Sequence, residues 1–351
     1  MRIKIKNRVL FSLVSFLLLL CSGQVKAEGI DVKEIVYEHL GDSYEWHLGK
    51  WGEKEISISL PVILYNKDTG WEFFLSSRLA HGQEYAGYMM ATEGTYAGKI
   101  VRLNPEGEWK RPLLDLSLTK NVIGLWIHSM ILLCLILSLA RHYRKGELRP
   151  PSGIKGAVEI LLIYMDEGVI RPCIGDDYRR FSPYLLTVFF FILINNLMGL
   201  VPFFPGGANL TGNIAITMVL ALATFLVVNL NGSRSYWKEI LWPEVPVWLK
   251  IPVPLMPVIE LFGIFTKPFA LMIRLFANIM AGHAVILGLV SLIFIAASMG
   301  AAISTGMTFL SVLFTLFMNC VELLVAFIQA YVFTLLSAVF IGSAQVKHIN
   351  K

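Results

Sequence analysis

The chain has 351 residues, of which 56% are hydrophobic and only 16% charged, a balance that excludes an ordinary soluble globular protein and points to the membrane class. Its net charge of +5 needs no nucleic-acid partner, because basic residues cluster beside apolar runs, as in 141-RHYRKGELRPPSGIK-155, where they report topology. Four scattered cysteines, Cys21, Cys134, Cys173 and Cys320, form no CxxC pair and support neither a disulfide framework nor a metal site, and no cofactor is expected.

Residues 1–27 read as a secretory signal: Lys4, Lys6 and Arg8, then an apolar run Val9–Leu20, then a small-residue site ending at Ala27. Leu20 precedes Cys21 where lipidation would call for a small residue. Residues 28–118 form a polar, aromatic-rich region expected to lie outside the cytoplasmic membrane. Alternation at 55-EISISLPVIL-64 predicts some β structure, with turns at Asp68-Thr69-Gly70 and Pro105-Glu106-Gly107. His39, His47 and His81 are not at metal-ligand spacing, and no catalytic motif occurs there.

Residues 119–351 read as a membrane domain of about five helices plus an amphipathic one, an all-α polytopic fold. The first span, about 121–140, contains His128, an isolated histidine expected to face a neighbouring helix. The basic run 141–155 puts its far end in the cytoplasm. Glu159, Asp166 and Glu167 break the apolar pattern of 156–170, which predicts an amphipathic helix. Spans follow at about 183–203 and 213–230, joined outside by 202-PFFPGGANLTG-212. Arg234, Lys238 and Lys250 make the next loop cytoplasmic, the same orientation from a second loop. The last two apolar stretches, about 255–294 and 306–345, flank 296-AASMGAAISTG-306. Forty helical residues measure ~60 Å, about twice the hydrocarbon thickness, so each stretch is either broken or steeply tilted, as a hairpin able to face a partner.

Within that hairpin the ionisable residues are Glu260, Lys267, Arg274, His283 and Glu322. Glu260 and Lys267 lie near the cytoplasmic end, within snorkelling reach. Arg274 is deeper, where a central arginine costs at least ~2.5 kcal/mol, so it is expected to be paired or to line water. At about 100° per residue Asn278 lies about 40° from Arg274, whereas His283 lies about 180° away. Glu322 and Gln329, seven apart, share a face, flanked by Asn319. Glu322 is the one opposite charge deep enough to pair internally with Arg274. The alternative, favoured here, is a carboxylate on another chain: a guanidinium stays charged, and it lowers the pKa of a carboxylic acid brought beside it. His283 and Glu322 suit proton handling.

The segments 267-KPFALMIR-274, 274-RLFANIMAG-282, 329-QAYVFTLLSAVFIG-342 and 195-NNLMGLVP-202 together resemble the a subunit of the F-type ATP synthase, over most of 121–345. That resemblance implies the stationary half of a rotary ion motor in a bacterial cytoplasmic membrane, with the C-terminus cytoplasmic. The implied partners are a c-subunit ring, b-type peripheral stalk subunits, the remaining synthase subunits and the lipid bilayer. Arg274 matches the family's essential arginine, which pairs with each ring carboxylate in turn. Asn278 and Gln329 match polar positions near it, and His283, Glu322, Asn196 and Asn319 fall on the implied proton path. His283 and Glu322 are exchanged relative to many bacterial members, and Gly199 stands where many carry an acidic residue. The exported region 28–118 exceeds the minimal family pattern and suits stator packing or a cap near the channel mouth. No GxxxxGK[ST] loop occurs, so ATP chemistry would belong to other chains. Two other classes carry distinct expectations. A membrane enzyme using His283 and Glu322 as acid and base on a lipid would act without a ring. A secondary transporter would show an internal repeat, and none is found.

Overall fold

The computed structural model describes residues 41–345 apart from 52–53, 68, 92–94, 104–108, 145–149, 202–203, 243–254 and 298–299. The signal pattern at 1–27, His39, Asp68, the Pro105-Glu106-Gly107 turn, Lys250 and the C-terminus after 345 lie outside the described residues, as do the side chains of His47 and His81.

The N-terminal region folds into short antiparallel strands. β1 (Glu45–Trp51) pairs with β2 (Lys54–Ser59), and β3 (Pro61–Asn66) pairs with β4 (Gly70–Leu75). β5 (Tyr88–Met90), β6 (Ile100–Leu103) and β7 (Trp109–Lys110) form a third sheet, and β8 (Leu114–Asp115) closes on the free edge of β3. The run 55–64, one strand by pattern, is split at Leu60. Pro61 has no N–H to continue a ladder, and the Leu60 backbone turns to Ser76, donating to its hydroxyl at 3.0 Å and accepting from its amide at 2.9 Å. Alternate residues then point inward, and Val62, Leu64 and Phe74 meet Tyr44, Leu79, Tyr88 and Ile100 in a small core. The buried Tyr44 hydroxyl bonds to Asp115.

The rest is helical. α1 (Lys120–Arg144) begins against the β region: Lys120 N–H donates to the Ser43 carbonyl at 2.9 Å and Asn121 N–H to Asp42 Oδ1 at 3.1 Å, satisfying first-turn donors. α2 (Ile154–Met165) runs on through a π turn, Asp166–Ile170, and a last α turn to Ile174, so the amphipathic segment extends beyond 156–170 at both ends. Two of the three acids that break its apolar pattern are in use, Glu159 accepting from Tyr143 and Asp166 from Ser182. α3 (Tyr178–Gly199) follows, then α4 (Ile214–Leu230), which bends by 101° into α5 (Arg234–Leu241). α5 falls where the sequence predicts a basic loop. α6 (Leu255–Ala297, 43 residues) and α7 (Ala301–Gln345, 45 residues) are each a single helix, so neither long stretch is broken. Among the described residues, four helices are long and apolar enough to cross a membrane, or five with α4 and α5 counted as one bent span. The protein is a multi-pass membrane protein.

The chain divides into two compact units. Among the described residues, one comprises 41–284 with 319–345 and the other 285–318. Within the second, the Ser311 hydroxyl bonds to the Leu289 carbonyl and ties the two helix ends together. Within the first, Val188, Phe189 and Ile192 of α3 pack against Leu271, Leu275 and Ile279 of α6 and Ala330 and Phe333 of α7. That layer holds the polar residues in place.

Burial, and then the Asp115 bond, push the Tyr44 phenol well above its ordinary value near 10. A raised folded-state value means a contribution that is complete below pH 10 and is lost as pH rises toward the folded value. Above pH 10 this group makes the wild type lose about 1.4 kcal/mol of stability per pH unit. Tyr44→Phe is expected to lack that slope and to be about 1 kcal/mol less stable at pH 8, measured by tryptophan fluorescence of the solubilised protein.

Candidate functional site

The geometry of α6 starts from its buried stripe. Leu271, Leu275 and Ile279, four apart, face the core. Helical phase therefore turns Arg274 and Asn278 outward, where both are exposed, together with Lys267, Ala270, Ala277 and Ala281. Among the described residues Arg274 makes no ion pair. The internal Arg274–Glu322 bridge open to the sequence does not form.

Glu322 pairs instead with His283. His283 Nδ1 stands 3.1 Å from Glu322 Oε1, with side chains 17% and 3% exposed. The approach is short but angled, and both carboxylate oxygens remain buried without a hydrogen bond of regular geometry. A buried acid left so under-satisfied is uncommon and calls for a functional explanation. The close approach depends on Gly282, because a Cβ there would stand 2.9 Å from Glu322 Oε1.

Asn196 lies on the same side. It donates from Nδ2 to the Ala326 carbonyl of α7 at 3.1 Å and accepts at Oδ1 from the Thr211 hydroxyl at 2.7 Å. Gly199, one turn further along α3, faces His283: a Cβ would stand 3.8 Å from Nε2 and the same distance from the Ala208 carbonyl. Gln329 is buried like Glu322, two turns along α7, whereas Asn319 is exposed. The structure thus gathers Asn196, His283 and Glu322, keeps Gln329 on their buried side, and leaves Arg274 and Asn278 on another flank.

His128 is 1% exposed, with Nδ1 2.9 Å from Asn195 Oδ1 and Nε2 3.3 Å from the Pro205 carbonyl, so it faces its neighbouring helix as expected. A small open groove lies between α4, α5, α6 and α7, with Asn229, Tyr236, Lys267 and Ser343 in its wall. Thr211, Gly282 and this groove escape sequence reasoning. Gly282 alone carried a signal, a glycine next to a histidine on a membrane helix.

The family described as ATP synthase A chain matches residues 122–342, well over half of the chain. The chain belongs to that family. Among individual relatives, the ATP synthase subunit a of Chloroherpeton thalassium is 43% identical over 236 residues, 66% of this chain and 67% of the relative. That of Pelodictyon phaeoclathratiforme is 40% identical over 277 residues, 76% and 78% of the two chains. His283, Glu322, Asn196 and Arg274 all lie within the matched region. Residues 35–116 match a second family, described as a domain of unknown function.

Gly282→Ala tests the packing of the His283–Glu322 pair in this a subunit. The methyl group is expected to displace the carboxylate and to destabilise the protein by about 1–3 kcal/mol. Thermal unfolding of the solubilised protein reads the change.

Proposed function

We propose that this a subunit conducts protons through two half-channels to and from carboxylates on a c-subunit ring, and so couples proton flow to ATP synthesis. The observation that carries the reading is the division of α6: an unpaired, exposed arginine on one flank and a buried His283–Glu322 pair on the other. Arg274 stands among Ala270, Ala277 and Ala281, small residues that let another helix come close. A ring carboxylate reaching this flank meets a permanent cation and gives up its proton. The lipid-enzyme alternative gives that unpaired arginine no task.

In this mechanism a proton enters from outside past Asn196, His283 and Glu322 and loads a ring carboxylate. After nearly a full turn of the ring the carboxylate arrives at Arg274, with Asn278 as its polar neighbour on that flank, Gln329 on the buried side of α7 and Asn319 at the outer end of the path. The released proton leaves through the groove walled by Lys267, Asn229 and Ser343. Lys267 is seven residues, ~10 Å of helix, toward the cytoplasm from Arg274. Each charge crossing 100 mV supplies ~2.3 kcal/mol. Residues 1–27 act as a cleaved signal, 28–118 stands outside the bacterial cytoplasmic membrane, and 119–351 forms the half-channels with the C-terminus in the cytoplasm. The basic residues on the inner loops support this orientation. The length of α6 and α7, ~65 Å each, supports a tilted hairpin against the ring. Peripheral stalk subunits of the b type would hold the chain still.

In inverted vesicles carrying the whole complex, Arg274→Ala and Arg274→Lys are both expected to abolish ATP-driven acidification. Arg274→Ala should also raise passive proton leak once the catalytic head is removed. Normal pumping by Arg274→Ala would sink the proposal. A second test exchanges the buried pair. The double variant His283→Glu/Glu322→His is expected to conduct about fivefold better than either single variant, because it keeps one acid and one imidazole in contact.

A further inference from the structure

We propose that the N-terminal β region is a clamp that positions Asn196 through the loop at 204–213, with Trp46 as its positioning residue. The proposal rests on the reading of Asn196, His283 and Glu322 as a proton path.

Trp46 is 3% exposed and packs on Ala208 and Leu210, both fully buried. Phe204 meets its ring edge-on with centroids 5.1 Å apart. The strand carrying Trp46 is itself held, because Asp42 and Ser43 just before it accept from the first amides of α1. The loop therefore rests against a ring whose own backbone is tied to α1.

From the loop, contacts lead into the site. The Thr211 hydroxyl donates to Asn196 Oδ1 at 2.7 Å, and Gly207 N–H donates to the Met198 carbonyl at 3.2 Å. The Ala208 carbonyl and His283 Nε2 both face the Cβ position of Gly199, each at 3.8 Å. Beside Trp46 the loop is equally tight against α1: a Cβ on Gly124 would stand 2.7 Å from the Ala208 Cβ and 3.9 Å from the Trp46 ring. Ala208 thus packs against both Trp46 and the bare backbone of Gly124. Moving it from either side moves the loop that holds Thr211, and with it the hydrogen bond that orients Asn196.

Two readouts on the whole complex test the clamp: hydrogen exchange of amides 206–213, and proton conduction of vesicles stripped of the catalytic head. Trp46→Ala is expected to speed that exchange about tenfold and to lower conduction about fivefold at equal assembly. Trp46→Phe should recover most of both. Gly124→Ala leaves Trp46 untouched yet should produce the same two changes, and adding Ala208→Gly should reverse them. Should Trp46→Ala prevent assembly, the Gly124→Ala pair decides alone. Faster exchange with normal conduction overturns the clamp, as does lost conduction with unchanged exchange, or a Gly124→Ala defect that Ala208→Gly does not relieve. His283→Ala is the separate control. If it conducts normally, the proton-path reading fails, while the exchange data still judge whether Trp46 holds the loop.

Discussion

A guanidinium within a membrane helix is tolerated only where something polar or charged can reach it. In this chain the constraint is met by helical phase. The stripe Leu271–Leu275–Ile279 is fixed against α3 and α7, and once those three positions face the core, Arg274 has one direction left. The alanines beside it keep that direction open to a close neighbour. Much of the membrane unit is arranged around this choice, because the same phase turns His283 back toward protein, where α7 brings Glu322 to it.

The polar groups facing protein are not scattered. Asn196, Thr211, His283 and Glu322 come from α3, the following loop, α6 and α7; Asn196 bonds to Thr211 and to the Ala326 carbonyl, His283 meets Glu322, and each of these contacts crosses from one element to another. Such groups cost most when left alone in low dielectric, and their convergence reduces that cost only in part, since both Glu322 oxygens stay without a regular hydrogen bond. Glycines make the convergence possible. Gly282 clears the space into which Glu322 fits, and Gly199 leaves room beside the imidazole.

What the sequence revealed follows from the range of the interactions involved. The flank carrying Arg274 and Asn278 was legible because phase within one unbroken helix is a local property. That Glu322 meets His283 rather than Arg274 was not, because it depends on the register between two helices, and both partners were chemically admissible. β8 pairs with β3 across about fifty residues, Leu64 opposite Asp115, and two-residue strands carry no periodicity to read. The Leu60 break was foreshadowed by Pro61 yet hidden by continuing alternation. Thr211 sits in a turn-rich loop where a threonine is unremarkable, and only the fold aims it at Asn196. α5 was concealed by its charges, since Arg234, Lys238 and Glu239 read equally well as loop.

The shortness of α4 has a consequence for the membrane itself. Seventeen residues make a rod of ~25 Å, shorter than a ~30 Å hydrocarbon layer, and the chain then turns through 101° into a segment of opposite character. Lipid beside α4 must thin to match it, or headgroups and water must sink toward its end. A hydrocarbon layer matched to α4 alone would be thinner beside the groove between α4 and α6, and there the transmembrane voltage would fall over a shorter distance.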